Sequence, residues 1–340
     1  MPIFRDPGGV WKTFAAVTYA VAATLGGLKV IAQGDEALAY ASAAGVLALA
    51  HGRVIAAYIV HECAHSSVFF ERKLNAALGI AMLWIGGCPY IDFDHVKRLH
   101  VAHHIDRADT ISFDYKAELK ALPSPILKAI LALEYCFVPI VEMLMHLRTA
   151  LYPLVALRDP KIPSSRRVTA AVGTTAILAL WGYLFSRGGL YAVALNAAAT
   201  ALLLHILSAH DAFQHTYIVL TGEDPSGPGS RTAQYEEDNT FSNLISKDYP
   251  LLNLLSLNFG YHNAHHSKPM AAWYKLPAIH DALYASDGGS PQVLPMSELV
   301  GTWVTNRVAR AIDESYGTVG SGPNRADTFI GSLGVSFLTV

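Results

Sequence analysis

The sequence has 340 residues, of which 52% are apolar and 15% charged, and its mean hydropathy is +0.30. That balance is atypical of a soluble protein and favours a membrane protein. The 25 basic and 27 acidic residues nearly cancel, so no broad basic face for nucleic acid is indicated. The three cysteines are sparse and odd in number, which indicates reduced thiols rather than a disulfide framework.

The first part of the sequence predicts a pair of membrane-spanning helices. Residues 14–32 and 37–57 are apolar and long enough to cross a bilayer. Lys and Arg flank the pair but are absent from the turn between the helices, so the positive-inside rule places the N-terminus in the cytoplasm. We expect the second helix to leave the lipid near His51, with Arg53 as a snorkelling side chain at the interface rather than a substrate contact. His61 and His65 would then lie on the cytoplasmic side.

The middle of the sequence predicts two segments that do not cross the membrane and two that do. Residues 74–90 are apolar but short and interrupted by Gly and Pro, which predicts a re-entrant or buried segment. Residues 122–157 contain charges and prolines at intervals, which favours helices lying in the interface. Residues 168–186 and 190–209 predict a second pair of spans joined by a short turn.

The predicted fold is an all-α integral membrane protein with four transmembrane helices in two hairpins and a cytosolic helical cap. Residues 210–316 form this cap, and residues 317–340 are a C-terminal tail. Because the number of crossings is even, both termini are expected on the cytoplasmic side.

Histidine clusters are the strongest chemical signal in the sequence. Eight of the 15 histidines lie in three short clusters, two of which have His-x-x-His-His spacing. On a helix, that spacing places three imidazoles on one face. The clusters are His61 with His65; His100, His103 and His104; and His262, His265 and His266. The predicted topology places all of them on one side of the membrane, which predicts a metal site.

The number of imidazoles indicates two metal ions. Imidazole suits zinc, copper, iron and nickel, but one zinc needs only about four ligands. Two irons with open positions could bind and split dioxygen, giving an oxidant that takes a hydrogen atom from an unactivated C–H bond. Nearby carboxylates either orient the imidazoles through the second ring N–H or are solvated surface charge. These carboxylates are Glu62, Asp106, Asp109, Asp211, Glu236 and Asp238.

Two other classes of protein share parts of this pattern. Residues 61–65 match HExxH, in which two histidines bind zinc and the glutamate is the general base, so an intramembrane zinc metalloprotease is one alternative. That motif leaves six clustered histidines without a role. A metal transporter is the other alternative, but its ligands should lie within the spans. Metal analysis separates the three: about two irons favours an oxidase, one zinc a protease, and labile ions a transporter.

Three histidine boxes interleaved with two pairs of spans resemble the integral-membrane fatty acid desaturase family. Residues 61–65 resemble the first box, residues 100–104 the second and residues 260–266 the third. The resemblance extends over roughly residues 14–285 in order and spacing. It implies a cytosolic non-haem di-iron centre above a four-span bundle.

The resemblance also implies a ninth ligand and the identity of the co-substrates. Gln214-His215-Thr216 resembles a family motif at the end of the fourth span, with His210 as the substitute ligand if that alignment shifts. A fatty acyl chain or related lipid would enter from the membrane, and dioxygen would be consumed with two external electrons. The sequence contains neither a cytochrome b5 haem motif nor a ferredoxin cysteine pattern, so a separate donor of one of these types is expected.

The reaction itself is left open by the resemblance. Desaturation, hydroxylation and ketolation share the first hydrogen abstraction, and sub-ångström placement of the substrate decides between them. The HxxxH spacing of the first box favours acyl-lipid desaturation. The alternative is a hydroxylase or ketolase that acts on a lipid, carotenoid or other apolar substrate.

Overall fold

The computed structural model describes residues 2–34, 39–221, 226–284, 292–321 and 324–333. Positions 37 and 38, where the predicted second span begins, lie outside the described residues, as do positions 334–340 of the predicted tail. The chain divides into unit 1, Met1–Val96 with His146–Ile206, and unit 2, Lys97–Met145 with Leu207–Val340.

The described residues are mostly helical, which agrees with the predicted all-α class. The helices are α1 Val10–Ala32, α2 Ala39–Ala64, α3 Arg72–Ile85, α4 Phe93–Asp106, α5 Tyr115–Lys120, α6 Ser124–Tyr135, α7 Ile140–Val155, α8 Ser164–Asp211, α9 Ala233–Asp238, α10 His262–Ser267, α11 Leu276–Tyr284, α12 Met296–Thr305 and α13 Arg307–Ile312. Two short 3-10 helices span Pro250–Ser256 and Trp273–Lys275. Strands β1 Asp109–Ile111 and β2 Val219–Thr221 pair in parallel.

In unit 1, α1 and α2 pack closely because small residues face each other. A Cβ atom added at Gly27 would lie 2.7 Å from the carbonyl oxygen of Gly45, so the two backbones approach at a distance that only glycine permits. Ile31 and Leu49 are fully buried in the same core cluster. Close packing through small residues is typical of helices that associate in lipid.

The long helix α8 is broken at Gly188 and Gly189, where the backbone angles are not helical. Gly189 has a φ of 61°, in the left-handed region that favours glycine. The break coincides with the turn predicted between the last two spans. Leu184 and Ala192, on either side of the break, are buried in the same core cluster as α1 and α2.

Three helices of the described chain, α1, α2 and α8, are long and apolar enough to cross a membrane. The α6–α7 pair meets the same criterion as one broken span bent by 116°, so the total is three or four. Helix α3 packs on α2 and has 14 residues. Its length of about 21 Å is shorter than a bilayer core of about 30 Å, so α3 alone cannot cross.

Arg53 does not have the exposed side chain expected of a snorkelling residue, because the structure buries it within unit 1. Its side chain is 4% exposed. The guanidinium group donates hydrogen bonds to the Asn196 side-chain oxygen at 3.0 Å and to the Thr200 hydroxyl at 3.1 Å. Both partners belong to the second half of α8 and supply the polar contacts that a cation within an apolar bundle requires.

Unit 2 contains the second and third histidine clusters. Strand β1 begins three residues after the end of α4 and pairs with β2, so that Asp109 lies opposite Val219. This pairing brings the end of the second cluster beside the segment that follows His215. Phe213 and Phe329 are fully buried in a neighbouring apolar cluster of the same unit.

Candidate metal centre

Helix α10 carries all three histidines of the third cluster and is only six residues long. A helix of this length is not stable by itself, so tertiary contacts must hold it. Asn263 provides them: its side-chain nitrogen donates to the carbonyl of Thr240, and its side-chain oxygen accepts from the hydroxyl of Ser242, each at 2.8 Å. The histidines of α10 are therefore fixed against the backbone of residues 240–242.

Gly260, just before α10, allows the backbone to pass very close to the backbone of Asn243. A Cβ atom at this position would lie 2.6 Å from the carbonyl oxygen of Asn243, closer than any side chain can approach. The third box thus requires glycine at its first position for a packing reason.

The ring of His103 is oriented by the backbone that follows α4. Its Nδ1 lies 2.9 Å from the carbonyl oxygen of Ala108. Because a carbonyl only accepts, Nδ1 carries the proton, and Nε2 is left with its lone pair. The carboxylate of Asp109, a predicted orienting group, lies 3.4 Å from the same Nδ1.

The ring of His266 is oriented by Glu236. The two groups meet at 2.9 Å, Nδ1 to Oε1, and Arg107 donates to the other carboxylate oxygen at 2.7 Å. Burial opposes ionisation of Glu236, but the hydrogen bonds from His266 and Arg107 outweigh it and lower the pKa of the carboxyl. The ionised carboxylate accepts a hydrogen bond from Nδ1–H, so Nε2 of His266 keeps its lone pair. That Nε2 is buried and has no hydrogen-bond partner among the described residues.

His215 is positioned by a β-bridge to Thr240. Its ring stacks on Tyr217 with centroids 4.1 Å apart, and the hydroxyl of Thr240 lies 3.4 Å from Nδ1. The hydroxyl groups of Tyr217 and Thr240 are 2.8 Å apart and form a hydrogen bond. These contacts fix the ring plane while Nε2 points to the other imidazoles.

Four imidazoles converge in unit 2. The candidate ligand nitrogens of His103, His215, His262 and His266 all lie within 4.8 Å of one another. Nε2 of His215 is 2.8 Å from Nε2 of His262 and 3.1 Å from Nε2 of His103. Two nitrogens bound to one ion at about 2.0–2.1 Å lie about 2.8–3.4 Å apart at angles from 90° to tetrahedral. The two observed spacings lie within this range, so these residues fit a metal ion.

The electrostatics of the cluster favour neutral imidazoles. Burial lowers the pKa values of His215 and His262 well below the usual value and that of His266 to about 4. Neighbouring imidazoles shift all three pKa values in the same direction, since two cations cannot lie so close together. Neutral imidazole is the form that binds metals.

The remaining clustered histidines form two groups, one in each unit. In unit 2, Nε2 of His104 lies 3.1 Å from Nε2 of His265, and the ring of His100 is stacked against His265 with centroids 6.2 Å apart. In unit 1, His61 and His65 are buried at the end of α2 with ring centroids 4.8 Å apart. His100 and His104 thus both contact His265, one through stacked rings and the other through ring nitrogens.

His210, the predicted substitute for His215, is not one of the four converging histidines. It is buried near the end of α8, and its backbone carbonyl accepts from the side chain of Asn243. Asp211 has its carbonyl 3.4 Å from the hydroxyl of Ser332. The structure thus favours His215 over His210 as the fourth imidazole of this cluster.

Three other predicted carboxylates contact groups other than histidine. Glu62 is buried and accepts from the hydroxyl of Ser67 at 2.8 Å. Asp106 accepts from the backbone N–H of a glycine at 3.2 Å, and exposed Asp238 accepts from a glutamine side chain at 2.8 Å. Asp106 and Asp238 stabilise the loop and helix around the site.

Sequence reasoning did not find three residues that hold the site: Arg107, Tyr217 and Thr240. Arg107 follows the second box directly, but nothing local pairs it with a glutamate 129 positions later. Thr240 reaches His215 through a bridge across 25 positions. Such contacts depend on tertiary pairing rather than on any local pattern.

The sequence matches the fatty acid desaturase family over residues 38–296, a range that includes all nine predicted histidine ligands. Among curated proteins, none matches the sequence. The family match, the converging histidines and the apolar helices indicate a multi-pass membrane oxidoreductase of the desaturase and hydroxylase type with a metal site. The resemblance based on the three histidine boxes is thereby confirmed, and the chain belongs to the fatty acid desaturase family.

Proposed function

We propose that the protein is a di-iron, dioxygen-dependent desaturase of a fatty acyl or related lipid chain. The observation that carries this proposal is the convergence of four imidazoles, two of them oriented by an acceptor at Nδ1, in a membrane protein of this family. A site for one structural zinc needs only about four ligands and would leave the other clustered histidines without a metal ion to bind.

We propose that the nine predicted histidines hold two irons. His103, His215, His262 and His266 would hold one ion, as the spacing of their nitrogens supports. The other predicted ligands are His61, His65, His100, His104 and His265. Iron bound there would supply the reduction of dioxygen and the abstraction of hydrogen from the lipid chain.

The residues of the chain prepare the site for this chemistry. Glu236 and the carbonyl of Ala108 hold the Nδ1 protons of two ligands, so that Nε2 is available without a change of tautomer. Burial of His262 and His215 excludes water and keeps both rings neutral. A rigid ligand set shielded from water would limit side reactions with solvent.

Electrons would come from a separate donor of the ferredoxin or cytochrome b5 type. The histidine boxes and both termini are proposed to face the cytoplasm, because Lys and Arg flank the predicted spans on that side. Purified enzyme supplied with dioxygen and NADH alone should therefore not turn over until a donor system is added.

The zinc protease alternative is disfavoured by the surroundings of HExxH at residues 61–65. Its glutamate, Glu62, accepts a hydrogen bond from the hydroxyl of Ser67 and is buried. A general base needs access to a water on the metal. Family membership also favours lipid oxidation over proteolysis.

Lipid analysis of a host that expresses the chain tests the function. A host with the wild-type chain should contain lipids two mass units lighter than a host that expresses the His262→Ala variant, because desaturation removes two hydrogens. Lipids sixteen mass units heavier would assign the hydroxylase alternative instead. Identical lipid profiles with both variants, in the presence of a donor system, would contradict both.

A further inference from the structure

The 3-10 helix Pro250–Ser256 in unit 2 turns its apolar side chains outward and its polar side chains inward. Leu251 is 79% exposed, whereas Asn253 is 1% and Ser256 2% exposed. The other exposed apolar side chains of the turn are Leu252, Leu254 and Leu255. This is the reverse of the pattern of a turn that faces water. Residues 249–256 are referred to below as the leucine turn.

The outward position of the leucines is fixed by hydrogen bonds. The side-chain oxygen of Asn253 accepts from the backbone N–H of Ile245 at 2.8 Å, and its nitrogen donates to the carbonyl of Ser246 at 2.9 Å. The backbone carbonyl of Asn253 accepts from the N–H of Asn258 at 2.8 Å. Turning the leucines inward would break these bonds and leave buried polar groups without partners. The exposed apolar surface is therefore part of the fold.

The residues that precede the leucines identify a lipid surface as the partner. Tyr249 is 70% exposed, and Lys247 is exposed two positions before it, with exposed Asp248 between them. Tyrosine and lysine beside a cluster of leucines are typical of segments at the boundary between water and lipid, where the lysine amine reaches the headgroups. The same chain contains helices apolar enough to cross a membrane, so lipid is an expected partner of this protein.

We propose that the leucine turn inserts into the membrane at the boundary between headgroups and acyl chains. Unit 2 would thus have a membrane contact of its own in addition to the transmembrane helices. Asn253 also donates to the hydroxyl of Tyr261 at 3.4 Å, and Tyr261 directly precedes α10 with the third histidine cluster. Lipid contact would therefore position the metal ligands of unit 2 relative to the bilayer, whether the enzyme desaturates or hydroxylates.

A fluorescent label on the turn tests this contact without reference to activity. In a Cys136→Ser background, the remaining cysteines are buried, so that Leu251→Cys carries the label. The protein is placed in phosphatidylcholine nanodiscs, and the label is a fluorophore whose emission shifts to the blue in an apolar environment. Ser315→Cys is the matched control, because this exposed position of the same unit has no leucines beside it. A second label at Leu254→Cys repeats the test if the first variant is poorly folded.

Lipid insertion predicts blue-shifted emission at position 251 and loss of most of the fluorescence when the lipid acyl chains carry bromine. The label at position 315 should keep water-like emission and respond to iodide in solution instead. Quenching of the Leu251→Cys label by iodide but not by brominated lipid would overturn the proposal. Blue-shifted emission that brominated lipid leaves unchanged would also overturn it, because a protein surface or a second copy of the chain would then cover the turn.

Discussion

Glu236 places a negative charge between His266 and Arg107, and the Glu236→Gln substitution removes that charge while keeping the size of the side chain. Charge-assisted hydrogen bonds contribute about 1.5–3 kcal/mol each, against about 1 kcal/mol for neutral ones. The glutamine amide can retain one neutral bond to His266, so the loss should be about 1–3 kcal/mol. We expect metal affinity to fall about 10- to 100-fold, as is typical when the partner of a metal-binding histidine is removed.

Competition with a chelator, followed by counting of bound iron per chain, measures this loss. Asp238→Asn is the matched control, because it makes the same charge change two positions later on α9, at an exposed carboxylate that contacts only a glutamine in the described structure. That variant should bind iron like the wild type. If Glu236→Gln also binds iron like the wild type while His266→Ala loses it, Glu236 does not orient the ligand.

Three further changes test the site and its frame. His215→Ala should lower the amount of bound iron, whereas His210→Ala should retain it, because a ring nitrogen of His215 lies among those of the other three imidazoles. The reverse result would identify His210 rather than His215 as the metal ligand. In thermal unfolding, Gly260→Ala should destabilise the protein by about 1–3 kcal/mol, since a Cβ atom there lies 2.6 Å from a backbone carbonyl oxygen. Gly301→Ala is the control: this glycine has open space around it, so the change should be neutral or stabilising by up to about 1 kcal/mol. Burial lowers the pKa of His266 from 6.5 to about 4, so between these pH values the unfolded chain is protonated at this histidine and the folded chain is not. The metal-free protein should therefore lose stability as the pH falls from about 6.5 to 4. An unfolding midpoint equal at about pH 7 and about pH 5 would contradict this reasoning.

Local patterns in the sequence predicted much of the helical frame. The turn between the last two predicted spans coincides with the break at Gly188 and Gly189, because glycine and charge interrupt the apolar sequence there. The His-x-x-His-His spacing places His262 and His266 on one short helix, and both contribute nitrogens to the same cluster. Such features depend on residues close in the chain, so periodicity and spacing reveal them.

Features that depend on distant residues were not predictable in the same way. Arg53 was expected to have an exposed, snorkelling side chain, but it is buried in unit 1 and donates hydrogen bonds to Asn196 and Thr200 of α8. Glu236 was one of six candidate carboxylates, and only the fold shows that it contacts a clustered histidine directly. Whether a charge is solvated or buried is decided by packing partners far away in the sequence, which a local pattern does not contain.

The metal content of the purified protein tests the central claim most directly. The chain should be extracted from membranes without added metal, and every transition metal should be counted per chain, beside a His262→Ala variant. About two irons per wild-type chain, with a clear loss in the variant, are expected from two ions held by nine imidazoles. One zinc per chain, or no bound iron after supply of iron under reducing conditions, would contradict a di-iron oxidase.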